Sequence, residues 1–166
     1  MATVTKSTIT TDRQFGGVPY GNLSCLKYTF ETNASGILVN SDKATAIGIG
    51  DVVRLGILPA GFMILGAEAI VSDTMTDTIT ADVGFLYTDG VDDANVPQDA
   101  DGLFASIDVH DAVARFTLAA NGGALKTAAP ITLPKDAYLV YTNNVAACAA
   151  AGRVDVLVHG IMTGQP

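Results

Sequence analysis

Ser106, His110 and Asp111 place a hydroxyl, an imidazole and a carboxylate in one short stretch, the set of groups that nucleophilic hydrolysis draws on. Working triads are assembled from separate elements, and neighbours on one segment seldom aim at one atom. No GxSxG elbow occurs anywhere in the chain, so these residues read as local surface chemistry. A second set, Asp89, Asp92, Asp93 and Asn95, offers hard oxygen ligands of the kind Ca²⁺ takes. Counting from Asp89 as an EF-hand loop, however, puts Ala100 where the bidentate Glu belongs. That stretch reads as a solvated or partner-facing loop. His159 stands alone, and with two histidines in the chain a catalytic zinc lacks ligands. Gly48-Ile49-Gly50 is followed by neither the third glycine nor the helix start of a dinucleotide fingerprint. Cys25 and Cys148 could pair only with Cα atoms within about 7 Å. Two cysteines make no disulfide framework, and both are expected as buried free thiols. No catalytic residue, cofactor or metal is expected.

The elements that would carry such groups are strands. The organising stretch runs from Ile47 to Ser72, two apolar strands joined at Leu58-Pro59-Ala60-Gly61. Pro59 pre-sets φ for the turn, and Gly61 can take a positive φ. Alternation puts Val53, Leu55 and Ile57 on one face of the first strand, with Val52, Arg54 and Gly56 on the other. In the second strand Leu65, Ala67, Ala69 and Val71 oppose Ile64, Gly66, Glu68 and Ile70, so Arg54 and Glu68 belong to outer faces.

Further strands are expected at Cys25–Glu31, Ile37–Val39, Thr78–Tyr87, Ala114–Leu118, Ala137–Thr142 and Arg153–Ile161. In the last, Val154, Val156 and Val158 face in, and Arg153, Asp155 and His159 face out. Thr8–Thr11 could add an edge strand, and Leu103–Val113 reads as a short helix or an irregular excursion with Asp101 as N-cap. Pro134 makes Ile131–Asp136 an edge segment. Residues 1–22 form an irregular N-terminal arm anchored by Phe15 and Tyr20, and residues 23–166 a single β-sandwich domain. The expected class is all-β, an eight-stranded jelly roll ahead of an immunoglobulin-like or other sandwich.

Composition narrows the partners. The 166 residues are 49% hydrophobic and only 16% charged, which leaves apolar surface available for burial against other subunits. A net charge of −8, with basic residues scattered singly, argues against gripping nucleic acid. The N-terminus lacks the apolar core of a signal peptide, and no apolar run reaches membrane-spanning length, so synthesis and solubility in a host cytoplasm are expected.

Arg54-Leu55-Gly56-Ile57-Leu58-Pro59-Ala60-Gly61, followed by Asp82-Val83-Gly84, is similar to the R-L-G-x-L-P-x-G … D-V-G run of jelly-roll capsid decoration, or cement, proteins of tailed bacteriophages. The resemblance covers the middle third of the chain, its motifs are structural, and the acidic insertion at Asp89 to Asp101 lies outside the pattern. It implies a virion protein on the capsid exterior, a homodimer or homotrimer that clamps neighbouring major capsid subunits, with no catalytic residue to carry over. Phe15, Tyr20, Arg54 and Glu68 are the expected interface residues. A glycan- or receptor-binding sandwich on a tail or fibre is the alternative, and exposed aromatics around Tyr138 and Tyr141 would distinguish it.

Overall fold

The structure, a computed structural model, describes residues 2–7, 22–76, 78–111 and 113–163. Two sheets face one another across a hydrophobic core. Their strands are β1 (Thr3–Thr5), β2 (Leu23–Thr32), β3 (Val52–Leu58), β4 (Phe62–Asp73), β5 (Thr80–Tyr87), β6 (Asp99–Asp108), β7 (Ala114–Thr117), β8 (Ile131–Thr132), β9 (Ala137–Asn144) and β10 (Gly152–Met162). One sheet runs β1-β3-β9-β5-β6 and the other β2-β10-β4-β7, with β8 pairing β4.

Among the described residues, eight strands remain without the short β1 and β8. Numbered in chain order, they form sheets 1-8-3-6 and 2-7-4-5. First pairs with eighth, second with seventh, third with sixth and fourth with fifth, all antiparallel. This is a long hairpin wound into two layers, the jelly roll, and it excludes the immunoglobulin-like order.

The Pro59–Gly61 turn forms as the sequence dictates, with Gly61 at φ +75° and Phe62 N–H bonded to Pro59 O at 3.2 Å. It carries the chain from one sheet to the other, since β3 and β4 sit in opposite layers. Alternation holds in β2, where Leu26, Tyr28 and Phe30 are buried, and in β10, where Val154, Val156 and Val158 are. It fails at two bulges. The β3–β9 register shifts between Arg54 and Gly56, so Leu58 rather than Ile57 faces the core. The β10–β4 register shifts between His159 and Gly160, so Ile64 is buried and Leu65 exposed.

Other expectations are corrected. Asp99–Asp108 is a strand against β5, so Leu103–Val113 begins as strand and Asp101 caps no helix. Register shifts in that ladder let Leu103 and Phe104, adjacent in sequence, both reach full burial. Ile37–Val39 reduces to a single bridge between Leu38 and Thr32. Two one-turn helices, α1 (Leu118–Asn121) and α2 (Leu125–Ala128), flank Gly122-Gly123. Thr3–Thr5 pairs in parallel with Val52–Arg54, while Thr8–Thr11, Phe15 and Tyr20 lie outside the described residues.

Tyr141 is the largest fully buried side chain and stacks on Phe30 across the two sheets, with ring centroids 4.0 Å apart. Gly56 makes room for the Tyr28 ring, whose hydroxyl donates to Ile57 O at 2.7 Å.

Candidate interaction surface

The residues whose types could do chemistry are held by local contacts. Ser106 sits on β6, and its N–H donates to Asp82 Oδ1 at 2.7 Å. His110 places Nδ1 2.9 Å from Asp108 Oδ1 and Nε2 2.9 Å from Asp111 Oδ1. The two carboxylates therefore contact different ring nitrogens, and Nδ1 also lies 3.0 Å from Ile79 O, so the ring is held on both edges. Asp108 also accepts the N–H groups of His110 and Asp111, and these, with the bond from His110 N–H foremost, hold it below the usual carboxylate range.

The acidic loop spends its oxygens on itself. Asp93 accepts the N–H groups of Val96 and Asn95, and Asp92 those of Asp93 and Gln98. Asp89 accepts Val91 N–H and pairs with Lys135 at 2.9 Å. Lys135 also lies over the Tyr87 ring and stitches the loop to the sandwich. Burial, with Asp93, Asp92 and Asp89 nearby, pushes Tyr87 up to about 12. Asp101, hydrogen-bonded to Asp99, is raised, as expected when two carboxylates share a proton.

Neither of the two tyrosines that would mark a sugar platform is exposed. Tyr141 is core, and the half-buried Tyr138 lies beneath the Arg54 guanidinium, 4.5 Å from ring centroid to Cζ. Cys148 is buried and Cys25 exposed; both are free, so the expectation of two buried thiols fails at Cys25.

What remains is surface. At one end of the sandwich the loops entering and leaving the strands carry Ile49, Val113 and Val145, respectively 60%, 70% and 62% exposed. Val145 adopts φ +71°, a costly conformation for a β-branched side chain. Beneath these loops Asp51 is buried and accepts Ala2 N–H at 2.7 Å and Gly48 N–H at 2.8 Å, with Lys43 on its second oxygen. Burial alone would raise its pKa, but Lys43 and the two N–H donors outweigh it and hold the carboxyl low.

The second surface is the outer face of β2-β10-β4-β7. Strand register arranges it in rows: Leu23, Ile161 and Met63; Cys25, His159 and Gly66; Lys27, Leu157, Glu68 and Thr117; Thr29, Asp155, Ile70 and Arg115; Glu31, Arg153 and Asp73. Charges on it are paired: Lys27 with Asp155 at 3.2 Å, Arg115 with Glu68 at 2.5 Å, and Arg153 with Asp155 and Glu31. Burial would raise Asp155, yet the Thr29 hydroxyl and Lys27 hold it low. Above Gly66 a depression of about 290 Å³ opens between Glu68, Leu118, Lys126 and His159. Arg54 and Glu68, both expected on outer faces, are there, but on opposite sheets. The face as a unit was not readable from the sequence: the outward alternation of Arg153, Asp155 and His159 marked one of its strands, but not the neighbours that complete it.

No protein-family model and no curated protein matches the chain. Two solved structures do. A chain in the capsid of Ralstonia phage GP4 aligns with 99% of this chain and 100% of its own length, at 19% identity and a TM-score of 0.68. A chain of the cyanophage Pam1 capsid asymmetric unit aligns over 92% and 96%, at 19% identity and a TM-score of 0.54. At that identity what is shared is the fold: a jelly roll matched from end to end.

Proposed function

We propose that this chain is a capsid decoration, or cement, protein of a tailed phage. It binds the outer surface of the assembled shell as a homodimer or homotrimer and bridges neighbouring major capsid subunits, with no catalytic step and no cofactor. The observation that carries this reading is the end-to-end likeness to a capsid chain of Ralstonia phage GP4, since the match takes in the whole chain and not a module within it. The resemblance of the Arg54–Gly61 and Asp82–Gly84 motifs points the same way.

Mechanistically, a protein that binds two coat subunits only in their assembled arrangement stabilises that arrangement by mass action. Ile49, Val113 and Val145 supply apolar tips for such a contact, and the strained Val145 backbone is what a contact position retains. Phe15, Tyr20, Arg54 and Glu68 are proposed as interface residues, toward the shell or toward a second copy. The test is to mix the purified protein with heads that lack it, then to sediment and heat them. Saturable co-sedimentation and a higher rupture temperature are expected. Failure to co-sediment, or recovery of the protein only from tails, would refute the proposal.

A further inference from the structure

The outer face of β2-β10-β4-β7 is unlike the rest of the surface in its charge. Lys27, Arg115, Lys126 and Arg153 meet Glu31, Glu68, Asp73 and Asp155 on it, four cations against four carboxylates. The net charge of −8 therefore resides wholly on the remainder of the chain. A second acidic copy meets no net repulsion at this face.

The two end rows and the His159 row of this arrangement match about one particular axis, while between them Leu157 meets Glu68 and Asp155 meets Ile70. A two-fold axis lying in the plane of the interface, parallel to the strands and midway between β10 and β4, sets each β10 residue against the partner copy's equivalent of its own β4 neighbour. Register then puts Ile161 on Met63, His159 over the open Gly66, and Arg153 on Asp73. Lys27 falls one strand from the opposing Glu68, and Asp155 one strand from the opposing Arg115. An in-plane axis across the strands would instead set the apolar row of Leu23 against the charged row of Glu31. A Cβ on Gly66 would meet nothing within 4 Å in its own chain, so that space is open to an incoming imidazole.

We propose that two copies of this chain pair back to back through this sheet face, as an isologous dimer with Gly66 and His159 flanking the two-fold axis. Four strands about 4.8 Å apart, over nine residues of β10 at about 3.3 Å each, give a footprint on the order of 500 Å² a side. That reaches the roughly 1,000 Å² total at which specific interfaces begin. The pairing stands whether or not the chain sits on a shell.

Sedimentation velocity across the micromolar range tests it. The wild-type chain should pass from the mass of one chain to that of two as concentration rises. Gly66→Arg, whose side chain enters open space in its own copy, should stay at the mass of one chain with unchanged circular dichroism. Asp73→Arg, which would oppose Arg153 across the axis twice, should raise the dissociation constant tenfold or more. A wild-type chain that remains single, a trimer, or a dimer indifferent to both substitutions would overturn the proposal. Head binding read separately keeps the two claims apart: a single chain that binds heads sinks the dimer alone, and a dimer that ignores heads sinks the shell reading alone.

Discussion

Replacing Tyr141 by Phe removes one atom from the centre of the sandwich, and the structure predicts that the protein gains stability. The Tyr141 hydroxyl is buried without a hydrogen-bond partner, while its ring stacks on Phe30 at 4.0 Å and 18° between planes. Phe keeps the stack and deletes the orphaned oxygen. An unsatisfied buried polar group costs about 1–3 kcal/mol. The void left by one oxygen, on the order of 20 Å³ at about 24 cal/mol per Å³, returns roughly 0.5 kcal/mol of that as a penalty. The balance favours the variant by about 1 kcal/mol, a rise in Tm of about 2–4 °C for a chain of this size. Tyr28→Phe is the control, because the same chemical change there removes a hydroxyl that donates to Ile57 O at 2.7 Å. It should lose about 1 kcal/mol. Urea unfolding followed by far-ultraviolet circular dichroism measures both. If Tyr141→Phe destabilises by 1 kcal/mol or more, the hydroxyl has a partner and the reasoning fails.

Three further outcomes follow from named contacts. Asp51→Asn should cost about 2 kcal/mol near neutral pH, below the 3–5 kcal/mol of a fully buried pair because Lys43 retains some access to water. The folded carboxyl is held below its unfolded value, so its contribution is complete above about pH 4 and fades as pH falls through the folded pKa; the gap between wild type and variant should close in acid, and a pH-independent gap would contradict this. Gly56→Ala drives a Cβ to 2.4 Å from the Tyr28 ring and should cost about 1–3 kcal/mol, with much of that recovered when Tyr28 is also truncated; strict additivity in the double mutant would show that the two do not touch. At concentrations that keep the chain single, a thiol reagent should modify one cysteine per native chain, the exposed Cys25, and both after unfolding. Burial, with Asp51 nearby, pushes Cys148 up to about 11, so rapid labelling of Cys148 in the native state would refute its placement.

The jelly roll was legible because its long strands write burial as strict alternation. Leu26-Tyr28-Phe30, Ile79 to Tyr87 and Val154-Val156-Val158 each put one row inside, and no local interaction competes. The errors sit where the period breaks. Ile57 and Leu65 were assigned inward and are displaced by bulges, which slip the register by one residue and reverse every assignment beyond them. β6 looked irregular because its sequence, with Leu103 beside Phe104, has no period of two; its bulged pairing with β5 supplies the geometry that alternation could not. Tyr138 and Tyr141 were grouped as candidate exposed aromatics, but alternation sets them on opposite faces of β9, and which of those faces meets water depends on the sheet across the core. The interaction surface was the least legible part, because Lys27, Asp155 and Glu68 become neighbours only through pairings of strands distant in sequence.

Charge distribution links the fold to the two proposals. A jelly roll with both sheets fully solvated has no need to neutralise one outer face and leave the other acidic. Here Asp82 and the Asp99–Asp101 pair fall in the β5–β6 half of one sheet, and Asp89 to Asp93 in the loop joining those strands. The opposite sheet balances its charges in number, most of them in ion pairs, and keeps an apolar row at one end. Pairing through that face would bury the neutral surface and leave the acidic surface outward on both copies. The apolar tips at Ile49, Val113 and Val145 stand at the end of the sandwich and not on that face, so a dimer would still present two of them. Bridging needs two contact points on one particle, and two-fold pairing would supply them without a second kind of binding site. It follows that Gly66→Arg, if it yields a single chain, should retain binding to heads through one tip and lose the increase in rupture temperature. A variant that binds as one chain and stabilises the shell as fully as wild type would show that bridging is not the mechanism.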